Sequence, residues 1–569
     1  MNSPVSGYRI SSKTTLIVGG IIFFVFTLFN LRGLKEPFLT GHAGFNGALR
    51  STIATNYNRY GFIKTGLLPF KNTGPFDFNN RDKEGIVHWH HPPLINILTA
   101  ISFRLFGNSE ASARFFPILA AMATFWLLFF WLHHKYGPWA SLAGVFFLTI
   151  IPMQTTFGNM INYEGVIIAL TLIALVAWEI RDKYPKLIGF IFVLSFLAAG
   201  FTDWPGFILA GVTGIFMLFE SRRNWKIVLV TGICMTALLV FLFFWLSAWA
   251  EHDGLAGLAR YRAGMGSIKV TYGQLLERTM YRLRDYYGFF IISGGLIWII
   301  GKLLIFRSVD KIVAVFGIST VIYFSAFKAG AHIHVFFLHY ATCAIIVAAA
   351  AGFASLMNTL DKLLSNISGG ELTNLYIEKI RRTLFILTPA LIAFLIFSWN
   401  MPLIEKTLRE SRGISYKKPS FVPNAGRQDI VIIGKFLKYI SNPRDVIVFH
   451  RSSHSSPQLR YYTGRNYRYV HHRDPKSVNG SFFVIPQRLL SDHHQSLFAS
   501  KYPVHRILRY LVYDLRKGRR KSVSAWDFRI SALSYFEQWF SGSVPPASFF
   551  RNVNSSAEYE KLLKNNSKN

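Results

Sequence analysis

Long apolar runs recur from one end of this chain towards the other, and they constrain its fold more than any motif does. A helix needs about 20 mostly apolar residues to cross a bilayer. Runs at about 14–32, 112–133, 138–156, 164–180, 187–202, 204–220, 226–248, 286–305, 311–328, 335–357 and 384–399 meet or approach that length. The pattern predicts a polytopic α-helical membrane protein with about 11 transmembrane helices. Charged residues make up only 16% of the 569 residues, against about a quarter in soluble domains.

The formal net charge is +33. With so many spans, that excess is assigned to membrane topology and anionic lipid rather than to nucleic acid. The first run lacks a small-residue cleavage site, so it reads as an uncleaved helix with its N-terminus in the cytoplasm. Alternation from there places 133–135, 181–186, 222–226, 302–311 and 358–383 on the inner side, and each carries basic residues, as the positive-inside rule requires. The segments 33–111, 157–163, 249–285 and 329–334 then share the outer face.

Residues 1–400 are therefore expected to form a transmembrane domain, with outer loops 33–111 and 249–285. Residues 401–569 are expected to form a small extracytoplasmic α/β domain with a polar tail. Strands are predicted at 445–450, 481–486 and 506–515, and helices near 427–441 and 487–499. In the first outer loop, Phe45, Leu49, Ile53 and Tyr57 recur every four residues. That is one helical stripe and predicts a juxtamembrane helix lying along the surface. Pro92-Pro93 open a second helix, ending near Phe106. Cys234 and Cys343 both sit in apolar runs, so a disulfide framework is not expected.

Polar groups at membrane depth cost free energy unless paired or hydrated, so they mark sites. Four groups stand out, all on the outer face. His42, Asn46 and Arg50 are spaced by four. His88, His90 and His91 flank Trp89 and precede Pro92-Pro93. Glu164 ends the short loop Asn159-Met160-Ile161-Asn162-Tyr163. His332 and His334 precede His339-Tyr340. The second outer loop adds Arg260, Arg262, Lys269, Arg278, Arg282 and Arg284, a set suited to a lipid phosphate, since arginine grips phosphate bidentately; anionic headgroups are the alternative partner. No His-Glu-x-x-His motif occurs, and neither His90/His91 nor His332/His334 shares a helix face. The sequence requires no cofactor; a divalent metal assembled from distant segments stays open, with Glu164 or a loop histidine as ligand.

The order of a first helix, a long outer loop, His91-Pro92-Pro93-Leu94, Leu105-Phe106-Gly107-Asn108-Ser109-Glu110 and Thr202-Asp203-Trp204-Pro205-Gly206 resembles the C-type membrane glycosyltransferases. More narrowly, it is similar to bacterial protein O-mannosyltransferases and aminoarabinose transferases. The resemblance covers about residues 14–400. It implies transfer of a sugar from a polyprenyl-phosphate donor to a protein, lipid or glycan acceptor, by one inverting displacement, at a bacterial inner membrane. A carboxylate would take the acceptor's proton and basic side chains would hold the departing phosphate. Relatives carry an acidic residue early in the first outer loop, whereas here no carboxylate lies between Glu36 and Asp77. Glu164 and His42 are the expected catalytic residues. Asn46, Arg50, His90, His91, Arg260, Arg262, His332 and His334 are the expected donor contacts. A transporter or flippase, or a non-catalytic glycolipid-binding member, is the alternative; the lack of an internal repeat weighs against a transporter.

Overall fold

The computed structural model describes residues 11–39, 41–73, 76, 87–182, 184–248, 254–265, 269–305, 308–367, 375–411, 429–450, 457–470, 473, 475, 478–507, 510–516 and 526–528. The polar tail expected beyond these lies outside the described residues. The chain divides into two compact units. One is Met1–Pro37, Gly41–Lys71 and Asp82–Ala425; the other is Phe38–Thr40, Asn72–Arg81 and Gly426–Asn569.

The first unit is a helical, multi-pass membrane body. Among the described residues, six helices are long and apolar enough to cross a bilayer: Ser12–Leu31, Phe115–Tyr136, Pro185–Thr202, Arg222–Ser247, Val335–Leu364 and Leu387–Leu408. A seventh span results if Tyr272–Tyr287 and Phe289–Leu304 count together, although they meet at a 111° bend. Other runs in the expected set of about eleven fold as Pro138–Ile150, Glu164–Glu179, Pro205–Glu220 and Lys311–Ala326. These hold 13 to 16 residues, or about 20–24 Å at 1.5 Å per residue, short of a ~30 Å hydrocarbon core. Proline sets several of these boundaries. Ile151 is extended ahead of Pro152, which divides the apolar run 138–156 into two helices.

The helix expected from the four-residue stripe runs His42–Tyr60. Leu49, Ile53 and Tyr57 are buried, while Phe45 is exposed. The helix does not lie on the surface with one face down. Arg50, Ser51 and Thr52 are buried as well, so it is enclosed on more than its apolar side. The helix after Pro92-Pro93 runs Leu94–Phe106 as expected and packs beside it.

The bend before Phe289–Leu304 depends on Gly288. Its φ of +82° is one that side chains rarely adopt, and a Cβ there would collide with the amide of Asn400.

The second unit contains a six-stranded mixed sheet. Its strands are β1 Val446–His450, β2 Asn466–Val470, β3 Phe482–Pro486, β4 Val504–Ile507, β5 Tyr510–Asp514 and β6 Trp526–Phe528, in the order β2-β1-β3-β5-β4-β6. β1 pairs in parallel with β2 and β3, and β5 runs antiparallel to β3 and β4. Alternate residues feed two cores. Ile447, Phe449, Phe482, Val484, Tyr510 and Val512 join the helix Asp429–Ile440 on one face. Val448, Phe483, Ile485, Leu511 and Tyr513 join Phe498 on the other. This is the period-two pattern of a sheet buried on both sides. The single strand expected at 506–515 is instead two antiparallel strands, and β2 was not anticipated.

Candidate active site

The site assembles in the helical unit at the N-terminal end of the helix Glu164–Glu179. Glu164 is the first residue of that helix, and Tyr163 precedes it as the cap. A carboxylate is favoured there because the first backbone N–H groups are unpaired and the helix dipole is positive. The side chain is 1% exposed. Both of its oxygens are buried without a hydrogen-bond partner, apart from the residue's own backbone N–H.

Arg50 faces the same cluster. It is 2% exposed, and its Nε and one terminal nitrogen lack partners. Its guanidinium carbon lies 4.4 Å above the ring of Tyr163. Arg50 and Glu164 attract one another electrostatically, yet no hydrogen bond joins them. Buried polar groups are ordinarily satisfied. A buried arginine and a buried carboxylate both left with free hydrogen-bonding capacity are groups prepared for something that is not protein.

The histidine loop is held against this pair. His91 stacks on Tyr163 with centroids 4.5 Å apart. Its Nδ1 is 2.7 Å from Asp203 Oδ1, and its Nε2 is 2.9 Å from a terminal nitrogen of Arg262. Arginine can only donate, so Nε2 accepts, and the proton sits on Nδ1 and is donated to Asp203. Trp204 Nε1 donates to the carbonyl of His90 at 2.9 Å, fixing the loop to the turn that carries Asp203. That turn is tight. A Cβ on Gly206 would run into the backbone of Ala199 and Gly200, which is why the phrase Asp203-Trp204-Pro205-Gly206 ends in glycine.

Burial sets the protonation states around the cluster. It pushes Asp203 up to about 6, against the attraction of Arg262 and Arg50. Burial, helped by Arg262, holds His90 down at about 3. His88 and His91 are lowered well below the usual histidine range for the same first reason, with Arg50 adding to it at His88 and Arg262 and Arg50 at His91. His42 is lowered to about 4 by burial and by Arg282. His334 is lowered to about 3 by burial, then by His42 and Arg262. Near neutral pH these rings are neutral and the cations around them are arginines.

The remaining expected residues are divided. His42 sits edge-on to His334 at 5.4 Å and to Phe336 at 5.2 Å. Asn46 is half-buried on the same helix as His42 and Arg50. The second-loop arginines are split by role. Arg262 enters the cluster from a turn at Tyr261–Met265, kinked at Gly264 with φ 80°. Arg278 bonds the His332 ring at 2.9 Å. Arg282 donates to the carbonyls of Ala331, His332 and Ile333. These two stitch the 331–334 turn in place, and Arg260 is exposed. Among the described residues, no group of three His, Cys, Asp or Glu side chains is placed to hold a metal ion.

The sequence reading did not single out Asp203 or Tyr163 as site residues. Asp203 was recoverable: a lone carboxylate between two apolar runs is costly unless it has a partner.

Residues 90–249 match the family model described as dolichyl-phosphate-mannose-protein mannosyltransferase. That stretch holds His90, His91, Glu164 and Asp203. This match supports the expected resemblance to PMT/ArnT-like C-type glycosyltransferases. The fold is ArnT-like as well. ArnT from Cupriavidus metallidurans in the apo state superposes with a TM-score of 0.53 at 12% identity, covering 88% of this chain and 98% of that one. The same protein bound to undecaprenyl phosphate gives 0.53 at 13% identity, over 89% and 98%. No curated protein matches the chain. The family-model match thus spans the region that carries both of the site's buried carboxylates.

Proposed function

We propose that this chain transfers a sugar from a polyprenyl-phosphate donor to an acceptor hydroxyl or amine at the extracytoplasmic face of a bacterial inner membrane. The observation that carries this reading is the buried pair of unpartnered groups, Glu164 and Arg50, with Arg262 close by. Cation and carboxylate together suit a reaction that loses a phosphate and takes up a proton. ArnT with bound undecaprenyl phosphate supports the donor class. The acceptor is a protein, lipid or glycan, and the sugar a hexose or pentose.

Glu164 takes the proton from the acceptor. The acceptor heteroatom bonds to the anomeric carbon as the bond from that carbon to the phosphate oxygen breaks. The electron pair leaves with the phosphate, and one displacement inverts the configuration. Arg50 and Arg262 stabilise the charge growing on that phosphate. His42, Asn46, His90, His91, His332, His334 and Arg260 serve as the further donor contacts in this reading. A ring held near 4 is a weak base, so Glu164 is the better candidate to supply the missing first-loop carboxylate. The short helices join neighbouring segments to complete about eleven spans, with the N-terminus cytoplasmic and residues 401–569 outside. Glu164, His91 and Asp203 lie at helix ends and in loops, and the chain has no internal repeat, which argues against a transporter.

The test uses full-length purified protein and labelled polyprenyl-phosphate sugars, following loss of the sugar from the donor. Glu164→Gln is expected to lower turnover by about 10²-fold or more, the usual scale for a positioned base. His42→Ala should cost less, about tenfold, as a contact residue. No donor consumption by wild type across a panel of sugars would end the proposal.

A further inference from the structure

The two buried carboxylates of the site are in opposite conditions. Glu164 has its oxygens free. Asp203 is committed, 2.7 Å from His91 Nδ1. The other nitrogen of the same ring is 2.9 Å from Arg262. Arg262 itself comes from the segment Tyr261–Met265, which is kinked at Gly264. The stack of His91 on Tyr163 at 4.5 Å fixes the plane of the ring, and the Trp204–His90 bond fixes the loop behind it.

Resting on the donor reading above, we propose that Asp203 and His91 are positioning residues that aim Arg262 at the donor phosphate. The chain of donors runs one way. Arg262 N–H donates to His91 Nε2, and His91 Nδ1–H donates to Asp203. The carboxylate selects the tautomer, and the tautomer presents a lone pair to the guanidinium. If the ring carried its proton on Nε2 instead, donor would face donor, and Arg262 would swing away. Asp203 therefore acts through His91 and Arg262 and does not itself receive the acceptor's proton. Its neighbours are consistent with that assignment. Arg262 and Arg50 act electrostatically on Asp203, and Tyr323 and Tyr340 also feel its charge.

The experiment is a double-mutant cycle on the full-length protein, with Asp203→Asn, Arg262→Gln and the pair. Two quantities are read: affinity for polyprenyl phosphate alone, and melting temperature. An amide at 203 removes the charge and lets the ring take the other tautomer. Asp203→Asn and Arg262→Gln should each weaken polyprenyl phosphate binding by about tenfold, the scale of one charge-assisted hydrogen bond. The double variant should be no weaker than the worse single one, because neighbours in one network are non-additive. In turnover, Asp203→Asn should lower kcat/KM by at least the roughly tenfold seen in binding and by no more than Arg262→Gln does, since it acts only through that arginine. In a His91→Phe background the coupling should vanish from both binding and melting temperature. Additive losses, coupling that survives His91→Phe, or a fall in kcat with polyprenyl phosphate binding unchanged would each overturn the proposal. If wild type fails to bind polyprenyl phosphate, the donor reading falls. The relay is then judged on the melting-temperature cycle, where absence of His91-dependent coupling refutes it.

Discussion

The helix Glu164–Glu179 carries a carboxylate at each end, and the two ends are built on different principles. At the C-terminal end the carboxylate belongs to a linked set of ion pairs. Glu179 pairs with Lys135 and lies 3.9 Å from Lys311, which pairs in turn with Glu220 at 2.9 Å. Asp310, beside Lys311, caps the helix Lys311–Ala326 through Ile312 N–H. It also accepts from Tyr136 at 2.9 Å and Trp131 at 3.2 Å. At the N-terminal end, about 24 Å away along the axis, Glu164 and Arg50 are buried with hydrogen-bonding capacity unused. Trp178 Nε1 at the C-terminal end also lacks a partner, but the carboxylate there is paired, whereas Glu164 is not. The difference separates groups kept for stability from groups kept for chemistry, which proteins retain at some cost to stability.

The sharpest way to break that comparison is at Arg50. Arg50→Met fills similar volume without charge. Turnover should fall about 10²-fold, since a cation at the departing phosphate is lost, while the melting temperature holds or rises. A fall in melting temperature with turnover intact would place Arg50 among the structural groups. At the other end the expectation reverses. Asp310→Ala leaves Trp131, Tyr136 and a helix terminus without their acceptor. Stability should drop by about 2–4 kcal/mol, read as thermal unfolding in detergent, with turnover per folded molecule unchanged.

A smaller effect is expected from pH. His42, His90 and His334 titrate at about 4, 3 and 3 in the folded protein, below 6.5 for a free ring. Between those values the unfolded chain binds more protons, so acidification from 6.5 towards 4 favours unfolding. Asp203 opposes this. Its folded value of about 6 lies above 3.8, so the folded state takes up that proton as pH falls. With His88 and His91 also lowered by burial, five rings act against the carboxylate, and melting temperature should decline as pH drops below 6.5. The decline should be shallower in a His42→Gln/His334→Gln variant. A melting temperature that rises on acidification would show that the rings are not held neutral by burial.

Much of the membrane body was legible because hydropathy over 20 residues is a strong signal. Where proline or polar termini shorten the helices, as at Pro138–Ile150 and Glu164–Glu179, composition overstates span length. Arg50 was placed by its spacing from His42, but its burial was not readable. The stripe Leu49, Ile53, Tyr57 suggested one buried face, whereas tertiary packing encloses the helix beyond it. Asp203 escaped as a site residue because sequence shows a carboxylate beside an apolar run and not the histidine 112 positions away that binds it. In the second unit, β1 and β3 were found through their apolar runs. β2, Asn466–Val470, alternates weakly and is defined by its parallel register with β1.

The central claim is that Glu164 is held in the fold for chemistry. Glu164→Gln keeps the shape and removes the group that can accept a proton, so one sample of full-length protein, assayed for donor consumption and for thermal unfolding, decides the matter. The account predicts turnover down by about 10²-fold or more with a melting temperature equal to or above wild type. A lowered melting temperature with turnover preserved would contradict it.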